Sequence, residues 1–235
     1  MNTYRKTAIM VGALFIIGTA AGILSVALSG PARDEARYLV DVSINANQIT
    51  VAALCVLLMG LALTLVPIVL YPLLKKYHEV LALGYVVFRG ALETVIYIAL
   101  TIGWLVLIAL SLEYVRAGTP DAAYFQTLGA TLLAGIDATN TLLIIVFGLG
   151  ALMLYTIFYR SRLIPRWLST WGLIAIILHL TTAFLIMFRL TSTLSPVIGA
   201  INFPIFLQEM VMAVWLIVKG FNPAAIAAGA AKTDR

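Results

Sequence analysis

Apolar residues run along this chain in stretches of about 20 separated by short polar connections, a pattern that predicts helices crossing a bilayer. Six spans are the simplest count: Ala8–Ser29, Gln48–Leu74, Val80–Leu112, Gly135–Tyr159, Leu168–Leu190 and Phe203–Val218. The fold class read from the pattern is all-α, a polytopic transmembrane helix bundle. The third run is long enough to tilt or to project beyond the hydrocarbon layer. Residues 121–134 can extend the fourth span, since Thr119-Pro120 offers a capping hydroxyl and a proline for the first helical position. Pro67 interrupts the second span and predicts a kink, with Thr64 near enough to bond a freed carbonyl.

The domain reading is a six-span domain over 1–221 and a short flexible tail over 222–235, where Asn222-Pro223 leads into Ala-rich sequence. The first span shares features with a signal peptide: Arg5-Lys6, an apolar run and the Ala27-Leu28-Ser29 tripeptide. Its run exceeds the roughly 7–15 residues of a signal core. Gly18-Thr-Ala-Ala-Gly22 also gives it a small-residue packing face, so a retained span is expected. The halves 1–118 and 119–235 would contribute three spans each in opposite orientation, as in an inverted repeat, though no internal similarity accompanies them.

Composition agrees with the pattern. Hydrophobic residues make up 63% of the 235 and charged residues 11%, whereas a soluble domain carries about a quarter charged. The single cysteine, Cys55, excludes an intramolecular disulfide and a zinc–thiolate cluster. A net charge of +5 could suggest nucleic acid, but the basic residues fall at span ends and no nucleic-acid partner is expected. Arg5, Lys6, Lys75, Lys76, Arg160, Arg162, Arg166, Lys219, Lys232 and Arg235 lie on one side of the six spans. The opposite connections mix Arg33, Arg37 and Arg116 with Asp34, Glu35, Asp41, Glu113 and Asp121. The positive-inside rule then predicts both termini in the cytoplasm. Tyr71, Tyr77, Tyr159, Trp167 and Trp171 flank the same ends as an interfacial belt.

Ionisable residues inside the spans are the candidate chemistry, because mid-bilayer charge is expensive and turns toward a partner or a cavity. At about 1.5 Å per residue, Arg89 lies about 14 Å from the cytoplasmic end, Glu93 about 20 Å, His179 about 16 Å and Glu209 about 15 Å. Tyr85, Arg89, Glu93, Tyr97 and Thr101 follow four-residue steps along the third span and form one slowly winding polar stripe. Gln208 precedes Glu209, and Thr182 shares a face with His179. Arg89 should pair with Glu93, Glu209 or both, since a guanidinium keeps its charge and matches carboxylates. The candidate ligand or proton site is therefore Arg89, Glu93, His179, Glu209, Gln208 and Tyr97. A structural network that only fixes helix packing remains the alternative. Asp137, Asn140 and Arg189 form a weaker candidate vestibule near the far interface, with Asn45, Asn47, Gln48 and Thr141 at similar depth.

The sequence holds only two histidines, His78 and His179, so one chain offers no mid-membrane bis-histidine haem. It carries no HExxH, Cys/His grouping or GxSxG. No cofactor and no metal are expected.

Four stretches resemble a known family: Tyr4-Arg-Lys-Thr-Ala-Ile-Met-Val-Gly-Ala-Leu, Val87-Phe-Arg-Gly-Ala-Leu-Glu93, Tyr159-Arg-Ser-Arg-Leu-Ile-Pro-Arg-Trp-Leu168, and Gln208-Glu-Met-Val-Met-Ala-Val-Trp-Leu-Ile-Val-Lys-Gly220. The last two are the more specific. The chain resembles the bacterial membrane proteins called domain-of-unknown-function family 4386. The resemblance implies a six-span bacterial inner-membrane protein in which Arg89 and Glu209 occupy usually polar positions. Glu93 matches a position that also carries glutamine, and His179 has no dependable counterpart. No activity comes with it.

Three functions stay open. One is binding or transport of a small polar solute, a proton or a lipid headgroup, for which 235 residues is small, so that the functional unit could need a homodimer. Another is an intramembrane enzyme using Glu93, Glu209 or His179 as acid–base groups. The third is a structural or regulatory membrane partner. The lipid bilayer is the common partner of all three.

Overall fold

A backbone without water around it must satisfy its own hydrogen bonds, and helices do this within each segment. The computed structural model describes residues 3–33, 37–118, 122–193 and 195–233, and the elements among them are helical. In chain order they are α1 (Thr3–Leu28), a 3₁₀ turn (Gly30–Arg33), α2 (Tyr38–Ile44), α3 (Ala46–Leu74), α4 (Glu79–Tyr85), a π-helical segment (Val86–Leu92), α5 (Glu93–Ala117), α6 (Ala122–Ser161), α7 (Arg166–Met187), α8 (Pro196–Val218) and α9 (Pro223–Thr233). Among the described residues, six helices are long and apolar enough to cross a membrane, counting Glu79–Ala117 as one.

The limits differ from the expected spans at several points. The fourth span belongs to a continuous 40-residue helix; its expected Thr119-Pro120 start lies outside the described residues. The fifth ends at Met187 rather than Leu190, because Arg189 takes a left-handed conformation (φ 56°) that closes α7. The sixth begins earlier, at Pro196, where the Ser195 hydroxyl accepts from the Val197 N–H, and it carries Pro204 inside. Pro67 and Pro72 both lie within α3. The segment read as a flexible tail is helical as α9, and the Tyr77 hydroxyl donates to its Ala225 carbonyl at 2.9 Å.

The chain divides into two compact units, Met1–Ile17 with Ala62–Thr94 and Thr141–Arg235, and Gly18–Leu61 with Val95–Asn140. The second unit has an apolar centre of Tyr38, Leu39, Val42, Ile49, Leu107 and Ile108. Its polar side chains bond helix carbonyls: Gln48 donates to the Leu28 carbonyl at 2.9 Å, Asn45 to the Asp41 carbonyl at 2.8 Å, and Tyr38 to the Gln126 carbonyl at 3.0 Å. Gly22 of the small-residue face lets Met59 approach; a Cβ there would meet its sulfur at 2.7 Å.

In the first unit, contacts gather the ends of several helices. The Arg5 guanidinium donates to the carbonyls of Leu216 and Val218, each at 3.2 Å, and to that of Ile217. These are last-turn acceptors of α8, which have no partner within their own helix. Lys76 donates to the Tyr4 hydroxyl at 3.2 Å. Asn222 donates its backbone N–H to the Leu163 carbonyl at 2.9 Å and its amide to that of Arg162 at 3.3 Å. Gly12 brings α1 against α8 so closely that a Cβ would lie 2.5 Å from the Ala213 carbonyl oxygen. Small residues set this spacing where lipid supplies no hydrophobic drive between helices.

Candidate functional site

The π-helical segment carries Arg89. At its end the Glu93 N–H bonds the Phe88 carbonyl, five residues back, in place of the usual four. In an α-helix each four-residue step drifts by about 40° around the axis. The widened turn reduces that drift, and Tyr85, Arg89 and Glu93 are all buried, at 1%, 3% and 1% exposure. Neighbouring elements hold this backbone in place. Thr94 bonds the Gly90 carbonyl and meets the Thr64 hydroxyl. A Cβ on Gly150 of α6 would stand 3.2 Å from the Arg89 nitrogen, so this glycine permits the close approach.

Arg89 Nη1 donates to both Glu93 oxygens, at 2.9 and 3.1 Å, and Nη2 donates to Glu209 Oε1 at 3.3 Å. The Phe147 ring of α6 lies against the guanidinium at 4.3 Å, and Phe15 of α1 stands 6.0 Å away. The arginine thus meets one carboxylate on its own span and one on α8, inside an aromatic cradle. The Glu209 side chain is 16% exposed and that of Glu93 1%.

Tyr85 is within electrostatic reach of Arg89, Glu209 and Glu93, and the Arg89 guanidinium is the hydrogen-bonding partner beside its buried hydroxyl. Buried hydroxyls normally find one. The Tyr155 hydroxyl donates to Gln208 Oε1 at 2.6 Å, and Gln208 Nε2 donates to the Leu168 carbonyl at 3.1 Å. Gln208 therefore ties α6, α7 and α8 together beside the charges.

His179 stands one ring away. Its Nδ1 is 2.8 Å from Asn202 Oδ1, and its ring packs edge-on to Phe147 with centroids 5.2 Å apart. In this amide orientation the Asn202 oxygen accepts, which pairs it with the tautomer protonated at Nδ1. Thr182 donates to the His179 carbonyl at 2.6 Å and reaches the same Asn202 oxygen at 3.3 Å. Phe147 thus touches both the charged centre and the histidine pair.

Among the candidates, the structure joins Arg89, Glu93 and Glu209, with Gln208 alongside and His179 in a separate polar pair. Tyr97 belongs to the second unit and packs on Gly60, where a Cβ would meet its own at 2.7 Å. Asp137 is exposed and Asn140 half-buried in that unit, while Arg189 is exposed in the first. Sequence reasoning missed Asn202, Phe147 and Tyr155. Asn202 lay just outside the expected sixth span, and apolar runs give no sign of which aromatic ring faces a charge. Among the described residues no three His, Cys, Asp or Glu side chains converge as metal ligands.

Six membrane-length apolar helices, with a buried arginine–carboxylate centre in the first unit, mark a multi-pass membrane protein. The chain belongs to the family described as Domain of unknown function (DUF4386), whose family model matches residues 10–220. No curated protein and no solved structure matches it.

Proposed function

We propose that the centre around Arg89 is a binding site for a proton or a small hydrogen-bonding cation that neutralises Glu209. The observation carrying this reading is the charge count: one guanidinium serves two carboxylates. Surplus negative charge enclosed among apolar helices is costly, so a proton or a bound cation completes the centre. Glu209 is the exchanging member, since it retains exposure and uses one oxygen on Arg89, whereas Glu93 is enclosed and uses both. The buried Tyr85 hydroxyl nearby can donate to the charged form or accept from the neutral one. In a transporter, this exchange is the event that couples to movement of a polar solute.

The compartment belongs to the same proposal. The basic helix ends around Arg5, Lys76 and Arg162 are assigned to the cytoplasm by the positive-inside rule, with both termini there. The family resemblance implies the bacterial inner membrane.

Infrared titration of the protein in lipid nanodiscs provides the test. A protonated-carboxyl band is expected in the wild type and absent from Glu209→Gln. Small amines and guanidines should raise the melting temperature of the wild type and not of that variant. Lack of both signals would sink the reading and leave the network as packing glue. Turnover of a substrate that disappears with one carboxylate, while binding survives, would move the protein into the enzyme class.

A further inference from the structure

A second feature of the first unit lies apart from the buried centre. Arg162, Arg166 and Lys219 line a cavity of about 500 Å³ together with Pro165, Trp215 and Asn222, and no acidic side chain is among its walls. All three cations are exposed, and none forms an ion pair among the described residues. We propose that this cavity binds the phosphate group of an anionic glycerophospholipid from the leaflet it faces.

Four observations carry the proposal. The frame is built, because Asn222 clips the 162–163 backbone to the 222–223 segment and its Oδ1 accepts from the Ala224 N–H. Arg162 holds a left-handed backbone (φ 57°) at the turn between α6 and α7. The cavity's electrostatics are one-signed: the α8 carbonyls that would repel an anion are occupied by Arg5. An aromatic cluster marks the level of the membrane interface, with Trp167 stacked on Trp171 at 6.4 Å and edge-on to Trp215 at 6.2 Å. Basic pockets at that level suit phosphate headgroups, and the cavity volume falls in the range of small-ligand sites. A second cavity, lined by Tyr4, Lys75 and Lys76, also mixes cations with an aromatic ring, and Lys76 stands over the Tyr4 ring in this unit.

Tryptophan quenching reads the site in the full chain. Brominated phosphatidylglycerol is titrated into the detergent-solubilised protein, against brominated phosphatidylcholine and, in a separate arm, inorganic phosphate scored by melting temperature. The expected result is preferential quenching by the anionic lipid. Arg162→Gln with Lys219→Gln should weaken it about tenfold or more. Lys6→Gln with Arg160→Gln, which removes two exposed cations outside the cavity walls, should leave the preference nearly unchanged. Equal quenching by the two lipids overturns the proposal without need of any variant. An equal loss in both double variants also overturns it, since attraction would then be diffuse. Stabilisation by inorganic phosphate with no lipid preference would assign the cavity to a free anion and overturn the lipid assignment. None of these outcomes touches Glu209.

Discussion

Two arginine–glutamate pairs on one continuous membrane-length stretch differ in almost everything but their chemistry. Arg116 and Glu113 approach to 2.7 Å with side chains 71% and 58% exposed; Arg89 and Glu93 approach to 2.9 Å with side chains 4% and 1% exposed. The shorter contact is the less consequential one. An exposed pair gains little, because water and salt screen it and two long side chains must be held still. A buried pair depends on each partner, because removing one leaves an uncompensated charge in a low dielectric. Distance identifies an ion pair, and surroundings decide what it does.

Arg89→Met tests the contrast most directly. It leaves Glu93 and Glu209 enclosed without their cation and should cost about 3–5 kcal/mol, read as loss of folded yield and of melting temperature in detergent. Adding Glu93→Gln and Glu209→Gln to that variant should recover most of the loss. A drop no larger than that of an exposed pair would collapse the distinction. Gly150→Val comes next: its branched side chain meets the Arg89 backbone and should cost about 1–3 kcal/mol by overpacking.

Tyr77 lies between the extremes. Tyr77→Phe loses the bond to α9 and should cost about 1 kcal/mol or less. Burial, reinforced by Tyr4, pushes its phenol above the ordinary value. The contribution is therefore present below about pH 10 and is lost as pH rises through the folded value. Alkaline melting curves of wild type and Tyr77→Phe should converge. Arg116→Ala should change stability by less than about 0.5 kcal/mol, within the error of most melts.

Span count and helical class were legible because apolar runs of bilayer length have few other uses. The pairing of Arg89 with Glu209 was legible as well, since a membrane leaves a guanidinium few alternatives at that depth. The π-helical turn was not. Its sequence, Val86-Val-Phe-Arg-Gly-Ala-Leu92, carries no composition that separates a five-residue bond from a four-residue one. The Asn202–His179 pair was hidden for another reason: the sixth span was read as starting at Phe203, whereas Ser195-Pro196 had already capped and begun it. All four family-like stretches fall in the first unit, and each carries some of its inter-helix bonds, through Arg5, Arg89, Arg162, Gln208 and Glu209.

Arg5 has a consequence for how the chain is made. It is made before the first span, while the three carbonyls that it will bind are among the last of the sixth span. For most of synthesis the guanidinium must wait among water and headgroups. A chain halted before Leu216 would leave it waiting permanently, and α1 would lack its hydrogen bonds to the last span, keeping only the Gly12 packing contact. Closure of this unit is therefore a late event in biogenesis, and partial products carry an unsatisfied guanidinium ahead of the first span.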